Sequence, residues 1–155
     1  MKVHQVEPNM DTAALLPGAQ FGDAYSIAID DATLTARQAA ERMLGRGPRW
    51  IDLLVALRNF LVAPFGLKTR APNEARDIIG IFPIVSHTPD RLVAGLNDKH
   101  LNFRVVVDVA STGHGQRVTA TTLVLTHNLL GRSYLAIILP FHRFVVRTLL
   151  RQVAQ

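Results

Sequence analysis

Leu129-Leu130-Gly131-Arg132-Ser133-Tyr134-Leu135-Ala136-Ile137-Ile138-Leu139-Pro140-Phe141-His142-Arg143-Phe144-Val145-Val146-Arg147-Thr148-Leu149-Leu150-Arg151-Gln152-Val153-Ala154-Gln155 closes the chain and decides its fold. Tyr134, Ile138, Phe141, Val145 and Leu149 recur on one helical face, and Leu135, Leu139, His142, Val146 and Leu150 on the face beside it. Arg132, Ala136, Arg143, Arg147 and Arg151 fall on the remaining narrow face. The basic residues gather in the C-terminal half, where the helix macrodipole favours cations. A helix apolar on two faces is expected to be enclosed by something larger than one partner helix. Pro140 predicts a bend, and Asn128 a cap at the start. The apolar run Tyr134 to Phe141 falls short of the roughly 20 residues a membrane span requires. The expectation is a buried helix and no membrane span.

The segments upstream supply that larger surface. Residues 1–18 read as an arm, punctuated by Pro8, Pro17 and Gly18, ahead of one domain over residues 19–155. Phe21 to Ile29 alternates in the period of a strand. Thr35 to Gly45 reads as a short helix with Thr33 or Thr35 as its cap, and its stripe of Ala36, Ala39, Ala40, Met43 and Leu44 predicts close packing. Pro48 to Phe65 reads as a second helix, with Trp50, Leu53, Leu54, Leu57 and Leu61 at spacings of three and four. Four β-rich segments then follow, joined by short turns. They run from Asp77 to His87, with Gly80 and Pro83 marking a bulge or an edge, from Arg91 to Leu96, from Leu101 to Ala110, and from Arg117 to Thr126. Ser111 to Gly115 reads as the loop of the last hairpin. Leu101, Phe103, Val105, Val107 and Val109 point to a buried face, and Asn102, Arg104 and Asp108 to a solvated one. Hairpins with helices segregated around them make an α+β domain: a curved antiparallel sheet wrapped around the long C-terminal helix, with two helices after the first strand.

Composition bounds the function. The chain has 155 residues, 48% of them hydrophobic and 19% charged, which is ordinary for one globular domain. It has no cysteine, so disulfides, thiolate metal sites and a Cys nucleophile are excluded, in keeping with a cytoplasmic location. The N-terminus lacks the apolar core of a signal peptide. The net charge of +5 comes from basic residues scattered along the chain, without the aromatic interleaving of a nucleic-acid surface, so no nucleic-acid partner is expected.

Leu16-Pro17-Gly18-Ala19 with Phe21 and Asp23-Ala24-Tyr25, Pro48-Arg49-Trp50, Leu57-Arg58-Asn59, Gly66-Leu67-Lys68, Ile81-Phe82-Pro83, Leu101-Asn102-Phe103-Arg104, Thr126-His127-Asn128, Gly131-Arg132 and Pro140-Phe141-His142 form a set spanning roughly residues 16–150. In that set the chain resembles the bacterial domain of unknown function 2867 family. The resemblance implies a helix-grip arrangement like that of the START and Bet v 1 group, and it supplies no catalytic residue.

Chemistry-bearing residues are sparse. His4, His87, His100, His114, His127 and His142 stand on separate segments without metal-ligand spacing, so no metal or other cofactor is expected. No phosphate loop, dinucleotide fingerprint or nucleophile elbow occurs, and no catalytic residue is assigned. His142 interrupts an apolar face beside Pro140 and serves either as a hydrogen-bonded core residue or as a polar anchor in a cavity. His127, Tyr134 and Trp50 complete the candidate ligand contacts, Trp50 being first of all a core residue. The first functional expectation is a module binding a small apolar molecule, such as a lipid, polyketide-like or aromatic compound, between sheet and helix. The alternatives are an enzyme of cyclase, dehydratase or hydrolase type on the same scaffold, and a homodimeric interaction protein.

Overall fold

The structure, a computed structural model, describes residues 2–8, 12–30, 33–44, 78–79, 82–97 and 101–154. The second expected helix, Pro48 to Phe65 with Trp50, and His100 lie outside the described residues. The elements are β1 (His4–Val6), α1 (Thr12–Leu15), β2 (Phe21–Ile29), α2 (Ala36–Leu44), β3 (Ile78–Ile79), β4 (Phe82–His87), β5 (Arg91–Asn97), β6 (Leu101–Thr112), β7 (Gly115–Thr126) and α3 (Leu129–Arg151), followed by a single 3-10 turn, Gln152–Ala154. The strands form one sheet in the order β1-β2-β7-β6-β5-β4-β3. Every neighbouring pair is antiparallel. This is the expected α+β architecture, with α3 lying over β2 and β7 and α2 over β5 and β6.

The sheet begins earlier than the periodicity indicates, because His4–Val6 pairs with Ala24–Ser26. The β6–β7 hairpin also turns more tightly than expected. Thr112 pairs with Gly115, which leaves only Gly113 and His114 in the turn. Two-residue turns suit the twist of paired strands, so the ladder runs to the hairpin tip. Pro83 sits where β4 meets the two-residue edge strand β3, and the β4–β5 register shifts between Ile84 and Ser86. An irregular outer ladder is what a proline without an N–H permits. At Gly95 in β5, the backbone of β6 comes so close that a Cβ would meet the Phe103 carbonyl oxygen. Only glycine fits there without displacing a strand.

The register places Tyr25, Ile27 and Ile29 of β2, Val118 and Ala120 of β7, Val107 and Val109 of β6, and Leu92 and Ala94 of β5 on one inner face. All are buried in the core with Met43 of α2 and Val146, Leu150 and Val153 at the end of the chain. Helix α2 starts in a capping box: Gln38 N donates to Thr35 Oγ1 at 3.2 Å and Thr35 N to Gln38 Oε1 at 2.9 Å. Ala36, Ala39 and Ala40 are fully buried, which is the close packing that their size predicts. The Gln116 side chain clamps the approach to this helix. Its Oε1 accepts from Leu34 N at 3.1 Å, and its Nε2 donates to Leu34 O at 2.9 Å.

Two expectations change. The outer face of the sheet is not a solvated one. Asn102, Arg104 and Asp108 are half-buried. The cross-strand row Val93, Val106, Thr121 and Ala24 on that face is buried. Arg91 Nε donates to Asp108 Oδ1 at 2.6 Å along this face, with the two side chains partly exposed. Nor is α3 enclosed. Its continuous helix carries Pro140 inside it, and Asn128 caps it, accepting from Gly131 N at 2.9 Å. Val146 and Leu150 are buried, but Ile137, Phe141 and Phe144 are exposed. Among the described residues the sheet covers one side of the helix, and α2 joins it in the cluster around Val146 and Leu150. Leu129–Ala154 is long and apolar enough to cross a bilayer by length and composition, yet its inner side is part of the core.

Candidate functional site

The seam between α3 and the sheet is the place to look, because there an apolar helix meets strands that carry isolated polar groups. Along the N-terminal half of α3 runs a shallow, open groove of about 400 Å³, lined by Gln20, Thr126, Arg132, Leu135, Ala136 and Leu139. Helical spacing brings Arg132, Leu135, Ala136 and Leu139 to one side of α3. Gln20 and Thr126 face them from the strand ends and are tied together. Gln20 Oε1 accepts from Thr126 N at 3.0 Å and from Thr126 Oγ1. Gln20 N in turn donates to Val124 O at 2.9 Å. The walls are thus almost wholly apolar, and Arg132 is the one cationic residue among those six.

One turn beyond Leu139, His142 reaches β2. Its Nε2 donates to Asp23 Oδ1 at 3.2 Å, and the two side chains are only 16% and 8% exposed. A carboxylate only accepts, so the pairing places the imidazole proton on Nε2. In the neutral ring Nδ1 is then an acceptor, and it has no partner among the described residues. The Phe21 ring stands edge-on to the imidazole, with centroids 5.9 Å apart and planes at 83°. This contact fixes the ring orientation. Asp23 and Phe21 lie on the same strand face as Tyr25, so one alternation of β2 delivers all three to α3.

Tyr25 is fully buried, and its hydroxyl has no hydrogen-bond partner among the described residues. The Arg147 guanidinium lies over its ring, 5.5 Å from the centroid. Burial, with the Asp23 carboxylate adding to it, raises the phenol above its ordinary value of 10.0, against the opposing pull of Arg143 and Arg147. Two consequences follow for Tyr25→Phe. Removing an unsatisfied buried hydroxyl is expected to stabilise the fold by about 1 kcal/mol at neutral pH. The native phenol stays neutral where the unfolded one ionises, so the unfolded state binds fewer protons once pH passes about 10. The wild type therefore loses stability as pH rises through that point, and the Phe variant lacks this component. Urea unfolding of both proteins from pH 7 to 11 should show a stability gap that is constant at first and widens above pH 10.

Of the residues singled out from sequence, the structure does not bring His127 to His142. His127 Nε2 donates to Asn102 Oδ1 at 3.0 Å, and Asn102 belongs to the outer row of β6. The two histidines therefore serve opposite sides of the sheet. Trp50 and the Tyr134 side chain lie outside the described residues. Asp23, Tyr25, Gln20 and Arg132 were not singled out. Asp23 carried the one available signal, an acidic residue on the buried face of a predicted strand, which demands a partner. Among the described residues no three His, Asp or Glu side chains gather as metal ligands.

A family model described as protein of unknown function (DUF2867) matches residues 15–149. No curated protein matches the chain. Among solved structures, the chain is similar to a structural-genomics crystal structure of a protein from Rhodobacter sphaeroides, at 10% identity and a TM-score of 0.49, over 99% of this chain and 95% of that one. It is also similar to the di-domain ARO/CYC BexL from the BE-7585A biosynthetic pathway, at 12% identity and a TM-score of 0.44, over 93% of this chain and 53% of that one.

Proposed function

Because the chain belongs to the DUF2867 family of proteins of unknown function, a family description that names no activity, we propose from its geometry that it binds a small apolar molecule in the seam between α3 and the sheet. The groove of about 400 Å³ carries this reading, since its size falls within the range of small-molecule sites. Leu135, Ala136 and Leu139 supply apolar contact area. Arg132 suits an anionic or strongly polar group at one end of the ligand. His142 lies one helical turn beyond the groove's lining, so its Nδ1 would meet a hydroxyl donor on a ligand long enough to extend past Leu139.

The test uses 1-anilinonaphthalene-8-sulfonate, which is aromatic at one end and anionic at the other. Saturable fluorescence enhancement is expected at a single site. Ala136→Trp fills the groove from an exposed helix position and should weaken binding at least about tenfold, a loss of about 1.4 kcal/mol, with the thermal midpoint unchanged. Non-saturable binding, or binding indifferent to Ala136→Trp, overturns the reading. Native mass spectrometry of the purified protein would identify a co-purifying ligand.

A second reading, an enzyme on the same scaffold, draws on the His142–Asp23 pair. A carboxylate that fixes the tautomer and orientation of a histidine is the arrangement of a general base with its orienting group. A co-purified compound that changes mass on incubation with the wild type but not with His142→Gln would favour it.

A further inference from the structure

Helix α3 has an outside that the groove does not use. Leu129, Ile137, Phe141 and Phe144 are 78%, 70%, 63% and 59% exposed. Ile137, Phe141 and Phe144 follow each other at spacings of four and three, so they form one stripe down the solvent side. Beside it run Arg143, Arg147 and Arg151, all exposed, and no Asp or Glu occurs between Leu129 and Arg151. A large apolar stripe bordered on one side by arginines is the composition of a helix that lies in a bilayer interface. We propose that the outer face of α3 docks on an anionic lipid surface, with Ile137 and Phe141 entering the acyl boundary and Arg143 and Arg151 on the headgroups.

Two observations select this occupant. The inner side of α3 is held in the core by Val146 and Leu150, so the helix lies along the surface instead of threading through it. A second copy of the chain meeting this face about a two-fold axis would bring two arginine rows together with no carboxylate on either helix to offset them. Anionic headgroups supply the missing charge. The stripe and the groove occupy different sides of the same helix, and this proposal stands whether or not the groove binds a ligand.

Co-sedimentation with vesicles tests it, using the whole chain. Vesicles of phosphatidylcholine mixed with phosphatidylglycerol should pull the protein down, pure phosphatidylcholine vesicles should do so far less, and high salt should weaken the binding. Ile137→Ser/Phe141→Ser should weaken it more than about tenfold, and Arg143→Gln/Arg151→Gln about fivefold for each arginine removed. All four positions are exposed, so melting by circular dichroism should be unchanged. Failure of the wild type to bind either vesicle, or undiminished binding by the Ser variant, overturns the proposal. So does a solution dimer, seen by light scattering, that Ile137→Ser/Phe141→Ser dissociates, because the stripe is then a contact between copies.

Discussion

Leu150→Ala is expected to lower the unfolding free energy by about 3–4 kcal/mol, whereas Phe141→Ala, on the same helix and larger by volume, should change it by less than about 0.5 kcal/mol. Leu150 is fully buried, in a cluster with Val146, Val153, Met43 and the inner strands. It lies where the end of α3, the 3-10 turn and α2 converge, and Arg42 Nη1 ties this junction by donating to Val153 O at 3.1 Å. A cavity there is walled by three backbones, which leaves little scope for collapse. Phe141 is mostly in water already, so truncation removes little buried surface. For a domain whose whole stability is about 5–15 kcal/mol, the first loss should be visible as a large drop in urea midpoint at constant slope. Equal effects at the two positions would mean that α3 rests on the sheet by a different face.

Period alone places Phe141 and Leu150 on two adjacent apolar faces and gives no reason to prefer either. What separates them is the extent of the sheet and the position of α2, which are long-range facts. The strands were legible where one face differed chemically from the other, as in Leu101 to Val109. Only the outer face of that same strand differs from its reading: Val106, with Thr121 beside it, is buried in the row next to Asp108 and Arg104, whose charges make the row look solvated. The paired Arg91 and Asp108 show why, since an ionic residue reads as exposed in sequence whether or not it has a partner. The tight turn at Gly113-His114 was hidden by Ser111 and Thr112, turn formers by composition that here extend the ladder. In the site, His142 stood out as a polar residue on an apolar face. Its partner Asp23 is 119 positions away in sequence, and the pairing depends on which strand α3 crosses. No local pattern encodes that crossing.

Asp23→Ala is expected to destabilise the fold by about 2–3 kcal/mol, because it leaves the His142 Nε2 proton buried with no acceptor. The reciprocal His142→Ala should cost a similar amount, since the carboxylate is then the orphan. Replacing both partners by apolar side chains of like size, Asp23→Leu with His142→Phe, removes the two polar groups together. Most of the lost stability should return, to within about 1 kcal/mol of wild type in urea unfolding. If the pair exists only to hold α3 on β2, an apolar pair in contact with Phe21 does the same work, and 1-anilinonaphthalene-8-sulfonate should bind the double variant as it binds the wild type. If His142 Nδ1 recognises a polar group on the natural ligand, the double variant should stay folded, keep the dye affinity that Arg132 and the aliphatic walls provide, and lose the compound that co-purifies with the wild type. The dye thus reports the groove, the co-purifying compound reports the histidine, and the urea midpoint reports the packing. A double variant that remains as unstable as Asp23→Ala would show that β2 and α3 depend on the hydrogen-bond geometry itself, and would remove the basis for reading the pair as a recognition site.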